Sequence, residues 1–277
     1  MSGVKKPDNR TSGSPRGRVP TWITPRTIVA GSFAGLFVVA FVILSPPGKT
    51  IRDLAPGGDS RSLKAAIVDQ LNLTAPGQSF VDDATVQLEE SGYSVAYFSG
   101  DQVTVDLYRT LAQHDYDLVL LRTHSTAVIS RGDDDISSVS LFTNEPYSKT
   151  KYYDEQQAGR VGFASYTEGG EQLFGITADF IEESMQGRFD ETLIVMMGCD
   201  GLRNERAAQA FIGKGASSFI SWSQFVTATH TDAATERLLE HLLDEGLPPE
   251  EAVNQTMLEV GPDPHYGAVL KAYPSAE

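Results

Sequence analysis

Two apolar, strand-like runs end in residues able to do nucleophilic chemistry. Asp117-Leu-Val-Leu-Leu-Arg122 runs into Thr123-His124-Ser125, and Thr192-Leu-Ile-Val-Met-Met197 runs into Gly198-Cys199-Asp200-Gly201. Cys199 is the sole cysteine of the 277-residue chain, which excludes an intrachain disulfide. A thiol is a modest nucleophile at neutral pH; an imidazole beside it can take its proton and return it to a leaving amine. The backbone amide of Cys199, expected at a turn into a helix, can face a developing oxyanion. A lone cysteine after a strand is more often a small buried hydrophobe, and a lone histidine there a structural hydrogen-bonding residue. Finding both on matched strand ends raises the chemical reading above those two.

The order of elements decides whether the two ends meet. Leu63–Asp69, Tyr93–Phe98, Asp117–Arg122, Thr192–Met197, Ser217–Trp222 and Gly267–Tyr273 read as strands. Helical spacing covers Ser79–Glu90, Val103–Gln113, Ala178–Met185, Glu205–Ile212, Asp232–Asp244 and Pro249–Leu258. Strands alternating with helices predict an α/β fold, a mainly parallel sheet with helices on both faces. Such sheets carry chemistry on loops at the carboxyl ends of their strands. In the simplest right-handed order the strands ending at His124 and Cys199 are neighbours. The loop after the first strand, Gln70 to Gln78, lacks the glycine patterns of a dinucleotide or P-loop site. Between Thr126 and Asp190 the chain makes an excursion too long for a plain crossover. Val139–Phe142 and Arg160–Tyr166 alternate there and predict an inserted hairpin, with Asp133, Asp134, Asp135, Asp154 and Glu155 in its loops as solvated charges. His230 and His265 read as loop residues. Neither has a partner at zinc spacing, and no metal or cofactor is expected.

Charge is sorted along the chain. The total is −15, yet residues 1–26 carry six basic residues and one acid, and from Lys49 onward 16 basic residues face 36 acidic ones. An acidic body excludes duplex nucleic acid as its partner. Residues 1–26 predict a disordered, basic, cytoplasmic tail. Ile28–Leu44 is an uncharged run of 17 residues, about 25 Å long as a helix against a hydrocarbon core of roughly 30 Å. Residues 27–45 therefore predict a transmembrane signal anchor in the lipid bilayer; a cleaved signal is the competing reading, with a poor cleavage site at Leu44-Ser-Pro-Pro. The basic tail keeps the N-terminus inside and places the body outside. Residues 46–62, rich in glycine and proline, read as a linker, and 63–277 as one extracytoplasmic domain.

The blocks Asp117–His124 and Leu193–Cys199 resemble the two motif blocks of the caspase-fold cysteine peptidases, the grouping of caspases, gingipains, clostripain, separase and CHAT domains. Phe211–Trp222 and Asp232–Thr256 look like the segments that follow the nucleophile in the gingipain and CHAT branch, and the likeness covers about residues 63–273. The resemblance implies a caspase-like fold, His124 as general acid/base, Cys199 as nucleophile, and an oxyanion hole from the amides of Ser125 and Cys199. The family commonly has glycine where this chain has Ser125. The function so implied is a membrane-anchored cysteine endopeptidase acting on a peptide or protein substrate. The alternative is a non-catalytic domain of the same architecture that binds a peptide or protein partner.

Overall fold

The computed structural model describes residues 61–129, 136–167 and 169–275. These belong to a compact unit spanning Pro46–Glu277. The anchor expected at 27–45, the basic tail, most of the linker and Asp133–Asp135 lie outside the described residues. Among the described residues no helix is long and apolar enough to cross a membrane.

The described residues begin with β1 (Leu63–Asp69), α1 (Gln78–Glu90), β2 (Tyr93–Ser99), α2 (Val105–Thr110) and β3 (Leu118–Arg122). The excursion follows as β4 (Ser125–Ile129), β5 (Ile136–Pro146), α3 (Tyr153–Gln157), β6 (Val161–Ala164), β7 (Leu173–Ile176) and α4 (Ala178–Glu183). Then come β8 (Leu193–Met196), α5 (Arg206–Gly213), β9 (Ser218–Trp222), α6 (Ala228–Leu239), α7 (Pro249–Glu259) and β10 (Leu270–Tyr273). Local signals start several helices. Thr104 caps α2 by accepting the Leu107 N–H at 3.1 Å, and Pro249 opens α7, where a missing N–H costs nothing.

The main sheet has the order β2-β1-β3-β8-β9-β10, parallel throughout except for β10. Its central strands β1, β3, β8 and β9 are buried on both faces, and period-two alternation deals their side chains to two cores. Ala66, Val68, Val119, Leu121, Ile194 and Met196 face one core with Tyr108 of α2, Phe180 of α4 and Phe211 of α5. Ala65, Ile67, Leu118, Leu120, Leu193 and Val195 face the other with Phe80 of α1, Leu238 of α6 and Val253 of α7.

The excursion forms a second sheet, antiparallel, in the order β4-β5-β7-β6. Its Leu141, Val161, Phe174 and Ile176 enter the first core. This corrects the expected hairpin: β5 and β6 do not pair with each other but flank β7. Alternation identifies which face of a strand is buried, not which strand lies beside it. Two further expectations change. Glu155 sits in α3 and is bound by both terminal guanidinium nitrogens of Arg109, so it is not a free loop charge. His230 lies within α6, where its Nε2 pairs with the Gly261 carbonyl at 3.2 Å.

Candidate functional site

The parallel register places Leu121 opposite Met196, and the Met197 N–H continues the ladder to the Leu121 carbonyl at 2.9 Å. His124 and Cys199 each follow three residues later, so the two leave the sheet from neighbouring strand ends. The loops then touch. The Ser125 hydroxyl donates to the Cys199 carbonyl at 2.6 Å. Gly198 makes that approach possible, since a Cβ there would lie 2.5 Å from both Ser125 Oγ and the Thr123 carbonyl. Cys199 is followed by a turn, and α5 begins at Arg206, within one residue of the expected start at Glu205.

Ser125 opens β4 rather than continuing a loop. Its Cα pairs with Leu141, while the Phe142 N–H donates to the His124 carbonyl at 3.0 Å. That pattern makes Ser125–Leu141 a non-hydrogen-bonded pair, which turns the Ser125 N–H away from β5 and off the free edge of β4. It meets no acceptor among the described residues, and the Cys199 N–H meets none beyond its own sulfur. Two donors on residues in direct contact are thus uncommitted.

His124 is held on three sides. Its backbone N–H donates to Gln70 Oε1 at 2.8 Å, and its Nε2 pairs with the Thr74 hydroxyl at 3.0 Å. Its ring lies 4.7 Å from that of Tyr166 and 6.0 Å from that of Phe142. Nδ1 is left without a partner among the described residues. Burial, with the Arg122 charge adding to it, lowers the imidazole below its ordinary value, so the ring is neutral at neutral pH.

Cys199 is half-buried against the second core, and its sulfur engages Val226, donating to the carbonyl at 3.7 Å and accepting from the N–H at 3.5 Å. Burial pushes the thiol above its ordinary value; the Val226 backbone pulls it down, and the carboxylates of Asp200 and Asp263 push it up again. It rests as a neutral thiol. Beside it, Asp200 adopts φ 59° with one carboxylate oxygen on Arg203 at 3.3 Å and the other without a partner among the described residues.

Several groups around His124 and Cys199 carry no motif. Gln70, fully buried, binds the His124 amide with its oxygen and Asn144 Oδ1 and the Tyr166 hydroxyl with its nitrogen, at 2.7 and 2.6 Å. Arg122 joins Asp69, Asp232 and the Ala75 carbonyl at 2.8–2.9 Å, tying the ends of β1 and β3 to α6. Position at a strand end is the one signal that marks Gln70 and Arg122 in the sequence. A cavity of 310 Å³ lies elsewhere, between β10 and α7, lined by Val253, Asn254, Lys271 and Tyr273, and contains neither His124 nor Cys199.

No family model matches the chain, and no curated protein does. Among solved structures it is similar to protein GSU0716 from Geobacter sulfurreducens, with 12% identity and a TM-score of 0.37 over 78% of this chain and 95% of that one. A likeness of that size carries no chemistry. The side chains must.

Proposed function

We propose that the chain is a caspase-like, membrane-anchored cysteine endopeptidase in which His124 and Cys199 act as a dyad on a peptide substrate. The observation that carries this reading is the contact of the two strand ends through Ser125 and Cys199, with an uncommitted N–H on each residue. With Thr74 occupying Nε2, the tautomer that donates to its hydroxyl leaves the Nδ1 lone pair as the base. In the reaction the sulfur leaves Val226, passes its proton to His124 and attacks the substrate carbonyl. The amides of Ser125 and Cys199 receive the oxyanion. The imidazolium protonates the departing amine, and the same ring then activates water to hydrolyse the thioester.

The test is cleavage of a broad peptide library by the full chain in detergent, expected for the wild type and abolished in Cys199→Ala and His124→Ala. The anchor is tested on intact cells, where exterior protease should leave a membrane-bound stub; release of the whole body into the medium would contradict it.

A second reading is a non-catalytic peptide-binding domain on the same framework. The engagement of the sulfur with Val226 and its raised pKa favour that reading, because both restrain the thiol. A wild type as inert as Cys199→Ala would select it.

A further inference from the structure

β8 lies between β3 and β9, so Cys199 has the His124 loop on one flank and the segment after β9, Ser223 to Thr227, on the other. That second flank runs alongside the residues around Cys199. Leu202 and Asp200 donate to the carbonyls of Trp222 and Gln224 at 2.9 and 3.0 Å, and Val226 holds the sulfur. Next to Val226, Phe225 is 47% exposed; its ring lies 5.9 Å from that of Tyr266, which is 53% exposed. Covering a large apolar side chain stabilises by about 1.5–3 kcal/mol, so two aromatic rings left open side by side are a surface that gains from an occupant.

The pair is held in place. Asp263, 2% exposed, accepts from the Thr227 N–H and hydroxyl at 2.9 Å each, and from the His265 and Tyr266 N–H groups at 2.9 and 2.8 Å. One carboxylate therefore pins the segment carrying Tyr266 to the segment carrying Phe225. The same bonds consume the acid. Asp200 is also 2% exposed, so neither acid is open on this flank to receive a basic side chain.

We propose that Phe225 and Tyr266 form an apolar wall beside Cys199 that receives an aromatic or large aliphatic side chain of the peptide, next to the scissile bond. This rests on the peptidase reading and names the substrate class of that site. A single apolar pocket separates side chains by roughly 10–200-fold, which sets the effect to look for.

The experiment profiles kcat/KM of the full chain on peptides that differ at one residue (Phe, Leu, Arg, Lys or Asp). In parallel it titrates an uncleavable Phe-containing peptide amide against the protein by NMR. Phe225→Ser and Tyr266→Ser are the variants, with thermal midpoint and iodoacetamide labelling of Cys199 as checks that both remain folded. The expected result is cleavage preferring Phe and Leu over Arg and Lys by at least about tenfold, with that preference lost in both variants. Cleavage preferring Arg or Lys, or showing no preference, overturns the wall and leaves the peptidase reading standing. Binding of the Phe peptide without cleavage, lost in Phe225→Ser, keeps the wall and removes the peptidase. Neither cleavage nor binding overturns both.

Discussion

Arg122 and His124 lie two residues apart at the end of β3, and the chain treats them in opposite ways. Arg122 is 1% exposed, and its guanidinium is spent on two carboxylates and a carbonyl. Burying such a charge is tolerable only when every donor finds a partner. Around His124 and Cys199 the accounting is left open: among the described residues, Nδ1 of the ring and the N–H of Ser125 have no partner, and the N–H of Cys199 has none beyond its own sulfur. The closed cluster ties the ends of β1 and β3 to the body of α6. The open one is what a substrate can complete. Uncommitted polar groups beside a satisfied, rigid network are where a fold departs from local consistency, which is the ground for proposing a site there.

Breaking the closed side should cost the most. Arg122→Leu strands the carboxylates of Asp69 and Asp232 in a buried site and is expected to destabilise by about 3–5 kcal/mol in chemical denaturation. Cys199→Ala, on the open side, should cost well under half of that; equal losses would erase the distinction. Next is the hinge between the two strand ends. Gly198→Ala drives a methyl against the Thr123 carbonyl, a backbone atom that cannot swing aside, and should cost about 1–3 kcal/mol and lower activity more than stability.

The place of the open side could be anticipated from the sequence, for a physical reason. Strands buried on both faces must be apolar at every position, so Leu118–Leu121 and Leu193–Met196 stand out as runs, and their parallel pairing follows from the intervening helices. That was enough to place His124 and Cys199 at adjacent ends. The second sheet was legible only as alternation, which leaves partners undetermined, so β7 was missed as the strand between β5 and β6. The supports were hidden for a different reason. Gln70 reaches Tyr166, Thr74 reaches His124 and Asp263 reaches Thr227 across separations of 36 to 96 residues, and no local pattern records such a bond. Asp232 illustrates the same limit: it lies inside α6, and its carboxylate serves Arg122 on β3.

Smaller perturbations sharpen the open side. Thr74→Val removes the hydroxyl from Nε2 at the cost of one hydrogen bond, about 1 kcal/mol or roughly fivefold in kcat/KM. Its distinguishing readout is the His124 ring nitrogens by NMR, which should lose the bias toward one tautomer; Thr74→Ser should restore it. The subtlest test is pH. Because His124 is lowered from 6.5, it stays neutral to lower pH than a free imidazole, and the acid limb of kcat/KM should fall below 6.5. Because Cys199 is raised from 9.0, little thiolate exists at neutral pH, and iodoacetamide labelling should keep rising through pH 9. A labelling plateau already at pH 7 would mean a preformed ion pair and contradict the neutral resting state.

If the open groups at the ends of β3 and β8 work together as one reacting unit, a peptidyl acyloxymethyl ketone reveals it most directly. Intact-mass and peptide mapping should find the probe on Cys199 in the wild type, with labelling reduced by at least about a hundredfold in His124→Ala and unchanged in a distant surface variant such as Leu258→Ser. Labelling of Cys199 at the same rate with and without His124 would make it an ordinary accessible thiol, and the dyad would not exist.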